Sequence, residues 1–140
     1  MSKRFCDTDL WDKEWFMLLS PTYKCLIRFL WDKCDAAGVW SANWILASSY
    51  VGETVTEKDL IKFGDRIVKI ADGKFFCAEF LEFQYGTLSE NCKPHLKILQ
   101  LLKKYQIEFD ENKGYLYPIH RVKEKDKEKE EEKDKEKERK

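Results

Sequence analysis

The chain has 140 residues, 43% hydrophobic and 14% aromatic, with 26 Lys/Arg balanced by 26 Asp/Glu. That length and composition fit one domain with an ample core, and the zero net charge excludes a bulk basic attraction to nucleic acid or to an anionic membrane. No run approaches the ~18 apolar residues of a membrane span, and residues 1–7 lack the apolar stretch of a signal peptide.

In chain order, residues 12–19 read as a short helix carrying Trp15, Phe16 and Leu19. Ser20-Pro21 then restarts the chain, with Ser as N-cap and Pro at the first helical position, where its missing N–H has no partner to lose. Tyr23, Leu26, Ile27, Leu30, Trp31 and Cys34 follow at helical spacing and predict a helix over 21–34. Gly38 suits a left-handed cap at its end. A very short strand at 39–40 and a helix over 41–51, capped by Ser41 and stopped near Gly52, come next.

Thr56-Glu57-Lys58-Asp59 looks like a capping box with Asp in the acidic position. It opens a third helix, 56–64, bearing Leu60, Ile61 and Phe63, with Gly64 at its end. Two β-rich runs, 66–70 and 74–80, flank Asp72-Gly73, a strong hairpin signal. Residues 83–86 leave the sheet, Pro94 starts a fourth helix with a stripe of Ile98, Leu101, Leu102 and Tyr105, and 115–117 are a candidate strand.

Residues 123–140 hold only charged side chains, nine basic and nine acidic, leaving seventeen of each sign in 1–122. Near-strict alternation puts unlike charges at i, i+3 and like charges at i, i+4, and no apolar face is present. A solvated linker or tail is expected ahead of a lone helix. The domain is thus 1–122 and the Lys/Glu tail 123–140.

Helix, tiny strand, helix, turn, helix and hairpin is the succession of a winged helix-turn-helix. The fold expectation is therefore mainly α with a small β-hairpin (α+β), an extra C-terminal helix and a charged tail. In that arrangement 56–64 is the recognition helix and Asp72-Gly73-Lys74 the wing tip. Duplex binding would draw on Ser41, Asn43, Thr56, Lys58, Lys62, Arg66, Lys69 and Lys74, with Lys58 and Lys62 four apart on one helix face. Residues 41–80 carry five basic and six acidic side chains, so few phosphates could be neutralised and binding would be weak and salt-sensitive.

A more specific signal lies in several strings. They are Trp15-Phe16-Met17-Leu18-Leu19-Ser20-Pro21-Thr22-Tyr23-Lys24, Asp32-Lys33-Cys34-Asp35 and Ala36-Ala37-Gly38-Val39-Trp40. Gly73-Lys74, Phe83-Gln84-Tyr85-Gly86, Leu88-Ser89 and Lys93-Pro94-His95 complete the set. With them the chain, over about residues 4–120, resembles phage replisome-organiser and DnaD-like primosome proteins. That resemblance implies an N-terminal winged helix joined by a Lys/Glu linker to further sequence. It also implies a role in opening or marking an origin in a bacterial cytoplasm, with a helicase loader as partner. This sequence stops within the linker, which leaves a fragment or a short form open.

The competing expectation is a protein–protein adaptor or oligomerisation module, or a transcription regulator of the same fold. Trp11, Trp15, Phe16 and Trp44 are the candidate interface residues, because exposed aromatics anchor interfaces. Simple burial competes for Trp31 and at least two other tryptophans. The N-terminal segment 5–19 is the expected oligomerisation arm.

Cys6, Cys25, Cys34, Cys77 and Cys92, odd in number and without a CxxC, read as buried free thiols of a reducing cytosol. Cys92-Lys93-Pro94-His95 is a lone C-x-x-H, short of the four ligands zinc takes, and His120 has no close partner in sequence. No Walker A loop, GxSxG, HExxH or dinucleotide-type glycine loop occurs, so neither catalysis nor a cofactor is expected.

Overall fold

The computed structural model describes residues 3–110 and 115–118. The tail 123–140 and His120 lie outside the described residues. The fold is α+β, with a three-stranded antiparallel sheet, a separate two-stranded sheet and helices around them.

The first segment is not one helix. Asp7 caps a 3-10 helix, Thr8–Asp12, by accepting from the Asp9 N–H at 2.9 Å. Lys13 is extended and ion-paired to Asp7 at 2.9 Å, and α1 (Glu14–Met17) follows. The break lets Leu10 and Phe16 both reach the core, which a single short helix would not arrange.

Helix α2 (Pro21–Lys33) starts as its sequence predicts, with Ser20 Oγ accepting from the Tyr23 N–H. Its buried stripe is Leu26, Ile27, Phe29 and Leu30. It ends without a glycine cap, because Cys34 is extended. Arg4 takes the capping role from a distance, donating to the carbonyls of Trp31 (3.0 Å), Asp32 (2.6 Å) and Cys34 (2.6 Å). These are among the orphan acceptors every helix end leaves. Its guanidinium also lies 4.9 Å from the Phe80 ring centroid, a favourable cation–π distance. Beside it the Gln84 amide donates to Phe5 O and accepts from Phe5 N–H, which fastens the N-terminal segment to the domain.

Gly38 works in the following turn, at φ +85°. A Cβ there would meet Phe80 Cδ1 at 3.1 Å. Asp35 organises this turn by accepting from the N–H groups of Ala37 (2.9 Å) and Val39 (3.0 Å), and Tyr105 O–H donates to its other oxygen at 2.8 Å.

Strand β1 (Val39–Ser41) pairs with β3 (Lys74–Cys77), which pairs with β2 (Ile67–Ala71), so the sheet order is β1-β3-β2. The β2–β3 hairpin turns at Asp72-Gly73 as predicted. Between β1 and β2 come α3 (Trp44–Val51), closed by Gly52 in the left-handed region, and a second 3-10 helix, Glu57–Arg66. The expected strand 74–80 stops at Cys77. Ala78 and Glu79 turn the chain, and Phe80 and Leu81, both buried, open α4 (Phe80–Tyr85) instead.

Helix α5 (Lys93–Lys104) buries Ile98 and Leu102. It leads to β4 (Ile107–Asp110), which pairs antiparallel with β5 (Tyr115–Pro118). The core gathers α2, the sheet and the 3-10 helices around Phe16, Leu26, Ile27, Leu30, Phe63 and Phe76.

Candidate nucleic-acid interface

The segment 57–66 differs from the expected recognition helix. It is a 3-10 helix kinked at Gly64 (φ 56°, ψ −134°). Its capping box is present, with the Thr56 side chain accepting from Asp59 N–H and Asp59 Oδ2 accepting from Thr56 N–H at 2.7 Å. Asp59 Oδ1 also accepts from Tyr23 O–H at 2.9 Å, a bond that raises the phenol's pKa. These bonds fix the segment to α2 while Leu60 and Phe63 enter the core.

The 3-10 geometry changes which side chains share a face. With three residues per turn, positions i and i+3 eclipse and i+4 falls about 120° away. Lys58 therefore stands in one row with Ile61, not with Lys62 as a 3.6-residue helix would have it. Both lysines are exposed and neither has a carboxylate partner among the described residues. Ile61, between them in sequence, is 78% exposed.

The other predicted contacts divide. Lys74 Nζ reaches Ser41 Oγ, its cross-strand neighbour, and so keeps an uncompensated charge. Ser41 is the last residue of β1 and does not cap α3. Asn43 takes that role, its side-chain oxygen accepting from Leu46 N–H at 3.0 Å.

Lys69 is bound within the chain by Glu57 (3.1 Å) and Asp72 (3.5 Å). The hydrogen bond to Glu57 is the main reason its ammonium pKa is raised. Arg66 sits at the opposite end of β2 from the hairpin turn, 4.0 Å from the Trp15 ring centroid. Its Nε is 3.5 Å from Glu79 Oε1 but is not oriented to hydrogen-bond it. Lys69 and Arg66 thus serve the fold, and Lys58, Lys62 and Lys74 are the cations of this set without a carboxylate partner among the described residues.

Of the expected interface residues, Phe16 is corrected outright. It is 0% exposed, with Trp11 and Trp15 edge-on against it. Trp15 is half-buried between Phe16, Trp31 and Arg66. Trp44 is half-buried against Trp40 and Phe75. Trp40 is buried, Trp31 is half-buried, and Trp11 is 61% exposed.

The thiols also differ from expectation, because Cys6 and Cys25 are exposed. Cys34 and Cys77 are buried, and contact with Cys34 and burial together push the Cys77 thiol pKa well up, which keeps it protonated. His95 Nδ1 accepts from Ser89 N–H, and no group of three or more His, Cys, Asp or Glu among the described residues could hold a metal ion. No helix of the described residues is long and apolar enough to cross a membrane.

Sequence reasoning missed Arg4 and Gln84, whose partners lie 27 to 79 residues away and leave no local pattern. They wall a groove of about 590 Å³ together with Arg28, Trp31, Arg66 and Phe83. No protein-family model matches the chain, and no curated protein or solved structure shows significant similarity to it.

Proposed function

We propose that the chain is a winged helix-turn-helix module that binds duplex DNA in replication initiation of the phage type. The observation that carries this reading is the sheet order β1-β3-β2, with α2 before β1 and with α3 and the second 3-10 helix between β1 and β2. In this reading α3 and the 3-10 helix form the helix-turn-helix, and the β2–β3 hairpin is the wing. Lys58 and Lys62 sit on the recognition segment and Lys74 at the wing. The setting comes from the sequence resemblance: an origin in a bacterial cytoplasm, with a helicase loader as partner.

Three phosphate contacts give a salt slope of about −2.7, so affinity falls roughly 40-fold between ~50 and ~200 mM salt. Fluorescence anisotropy of a labelled duplex measures this directly. The Lys58→Ala/Lys62→Ala/Lys74→Ala variant is expected to lose nearly all binding, and Lys69→Ala to change it little. No binding at either salt, or binding indifferent to the triple variant, rejects the reading.

A second reading, self-assembly, is favoured by the exposed Trp11, Met17 and Leu18 of the N-terminal segment. It predicts a concentration-dependent dimer in sedimentation velocity that Trp11→Ser/Leu18→Ser converts to monomer. A wild-type protein that stays monomeric up to about 100 μM, far above the Kd range of specific interfaces, rejects it.

A further inference from the structure

We propose that Ile61 is a base-reading residue and that the duplex this module prefers carries thymine at the contacted position. The inference rests on the duplex-binding reading and deepens it.

Sequence is read in the major groove by hydrogen bonds to base edges or by apolar contact with the thymine methyl. Lys58 and Lys62 can hydrogen-bond a guanine edge, whereas the side chains suited to the other bases are partly engaged within the fold. Thr56 stands in the capping box and Ser41 accepts from Lys74, which leaves each only its hydroxyl proton to give. Adenine recognition by Asn needs its oxygen and amide together, but the Asn43 oxygen is bound to Leu46 N–H. Arg66, the one arginine of the recognition segment and wing, lies against Trp15.

The apolar route is open. Ile61 is 78% exposed in the middle of the recognition segment. It stands one 3-10 turn, about 6 Å, from Lys58 in the same row, and Lys62 follows it in the chain. An apolar tip with one uncompensated cation in its own row and another on the adjacent row complements a surface whose rim is anionic and whose floor is apolar. Phosphates flanking a groove with methyl groups on its floor have that character. Lysines on phosphates place the segment on any sequence, and Ile61 supplies a preference that phosphate contacts cannot.

Replacing thymine by uracil removes only the methyl group. Anisotropy titrations therefore compare one A·T-rich duplex with its uracil-substituted twin, using the full chain at ~50 mM salt. The wild type is expected to bind the uracil duplex about fourfold more weakly, the weight of one buried methyl. Ile61→Ala is expected to bring that ratio to about one while leaving the salt slope unchanged, and Ile61→Leu to keep part of it. Because Ile61 is exposed, neither substitution opens the core, and circular dichroism checks that both fold.

Equal binding of both duplexes by the wild type, with the lysine-dependent salt slope intact, overturns the role of Ile61 and leaves the duplex reading standing. A thymine preference that survives Ile61→Ala also overturns it. Absence of binding to either duplex removes the duplex reading itself.

Discussion

Phe16→Ala is expected to lower the free energy of unfolding by about 3–5 kcal/mol, the range for truncating a buried Phe. The ring is fully buried, with Trp11 and Trp15 packed edge-on and the Lys24 ammonium 5.8 Å from its centroid. Its removal leaves a void that joins α1 to α2 and takes contacts from both tryptophans. Urea unfolding followed by tryptophan fluorescence measures the loss. The result separates two roles, because an aromatic that acts only at a subunit interface would leave the stability of the monomer unchanged. A loss below about 1 kcal/mol would place Phe16 outside the core, against the usual cost of a cavity of this size.

Asp35→Ala is the second large effect, expected at about 3 kcal/mol. One carboxylate holds the N–H groups of Ala37 and Val39 and the hydroxyl of Tyr105. Ala37 and Val39 are buried, and a buried donor left without a partner costs about 1–3 kcal/mol.

Tyr105 makes part of this effect visible through pH. Burial, and then the bond to Asp35, push its phenol from 10.0 up to about 12. The folded state therefore holds a proton that the unfolded state releases between those values. The stabilisation is complete below pH 10 and is lost as pH rises from 10 to 12. Tyr105 is partly exposed, so the contribution after solvent screening is about 1 kcal/mol. Over that window the wild type should converge in stability on Tyr105→Phe, and parallel stability curves would show that the bond to Asp35 does not form.

The sequence made the local devices legible because each is written in adjacent residues. Ser20-Pro21 capped α2, Thr56 and Asp59 closed a box, and Asp72-Gly73 turned a hairpin, all as predicted. What escaped depended on partners far along the chain. The aromatic run around residue 80 has strand-like composition, but β3 ends at Cys77 and α4 begins at Phe80. β4 exists through its pairing with 115–118, and its own four residues carry little signal.

The candidate site was half legible for the same reason. Leu60 and Phe63, three apart, suit either helix type. Only the structure, by making the segment a 3-10 helix, moves Lys58 into line with Ile61 and away from Lys62. Arg66 looked free in sequence because Trp15 and Glu79 lie 51 and 13 positions from it, and of the two carboxylates that hold Lys69 only Asp72 is a near neighbour, Glu57 lying 12 positions away.

The clasp between Phe5 and Gln84 has a consequence for biosynthesis. The two residues are 79 positions apart, so at roughly 5–20 residues per second the beginning of the chain waits several seconds on the ribosome for that partner. Through that interval Arg4 can reach the end of α2, but the Phe80 ring and the Gln84 amide do not yet exist. A contact of such long sequence separation carries a large loop-closure cost and tends to form after the main folding barrier. Contacts made that late act chiefly on the rate of unfolding. The clasp would then set how long the finished protein persists once folded, and have little influence on how fast it folds.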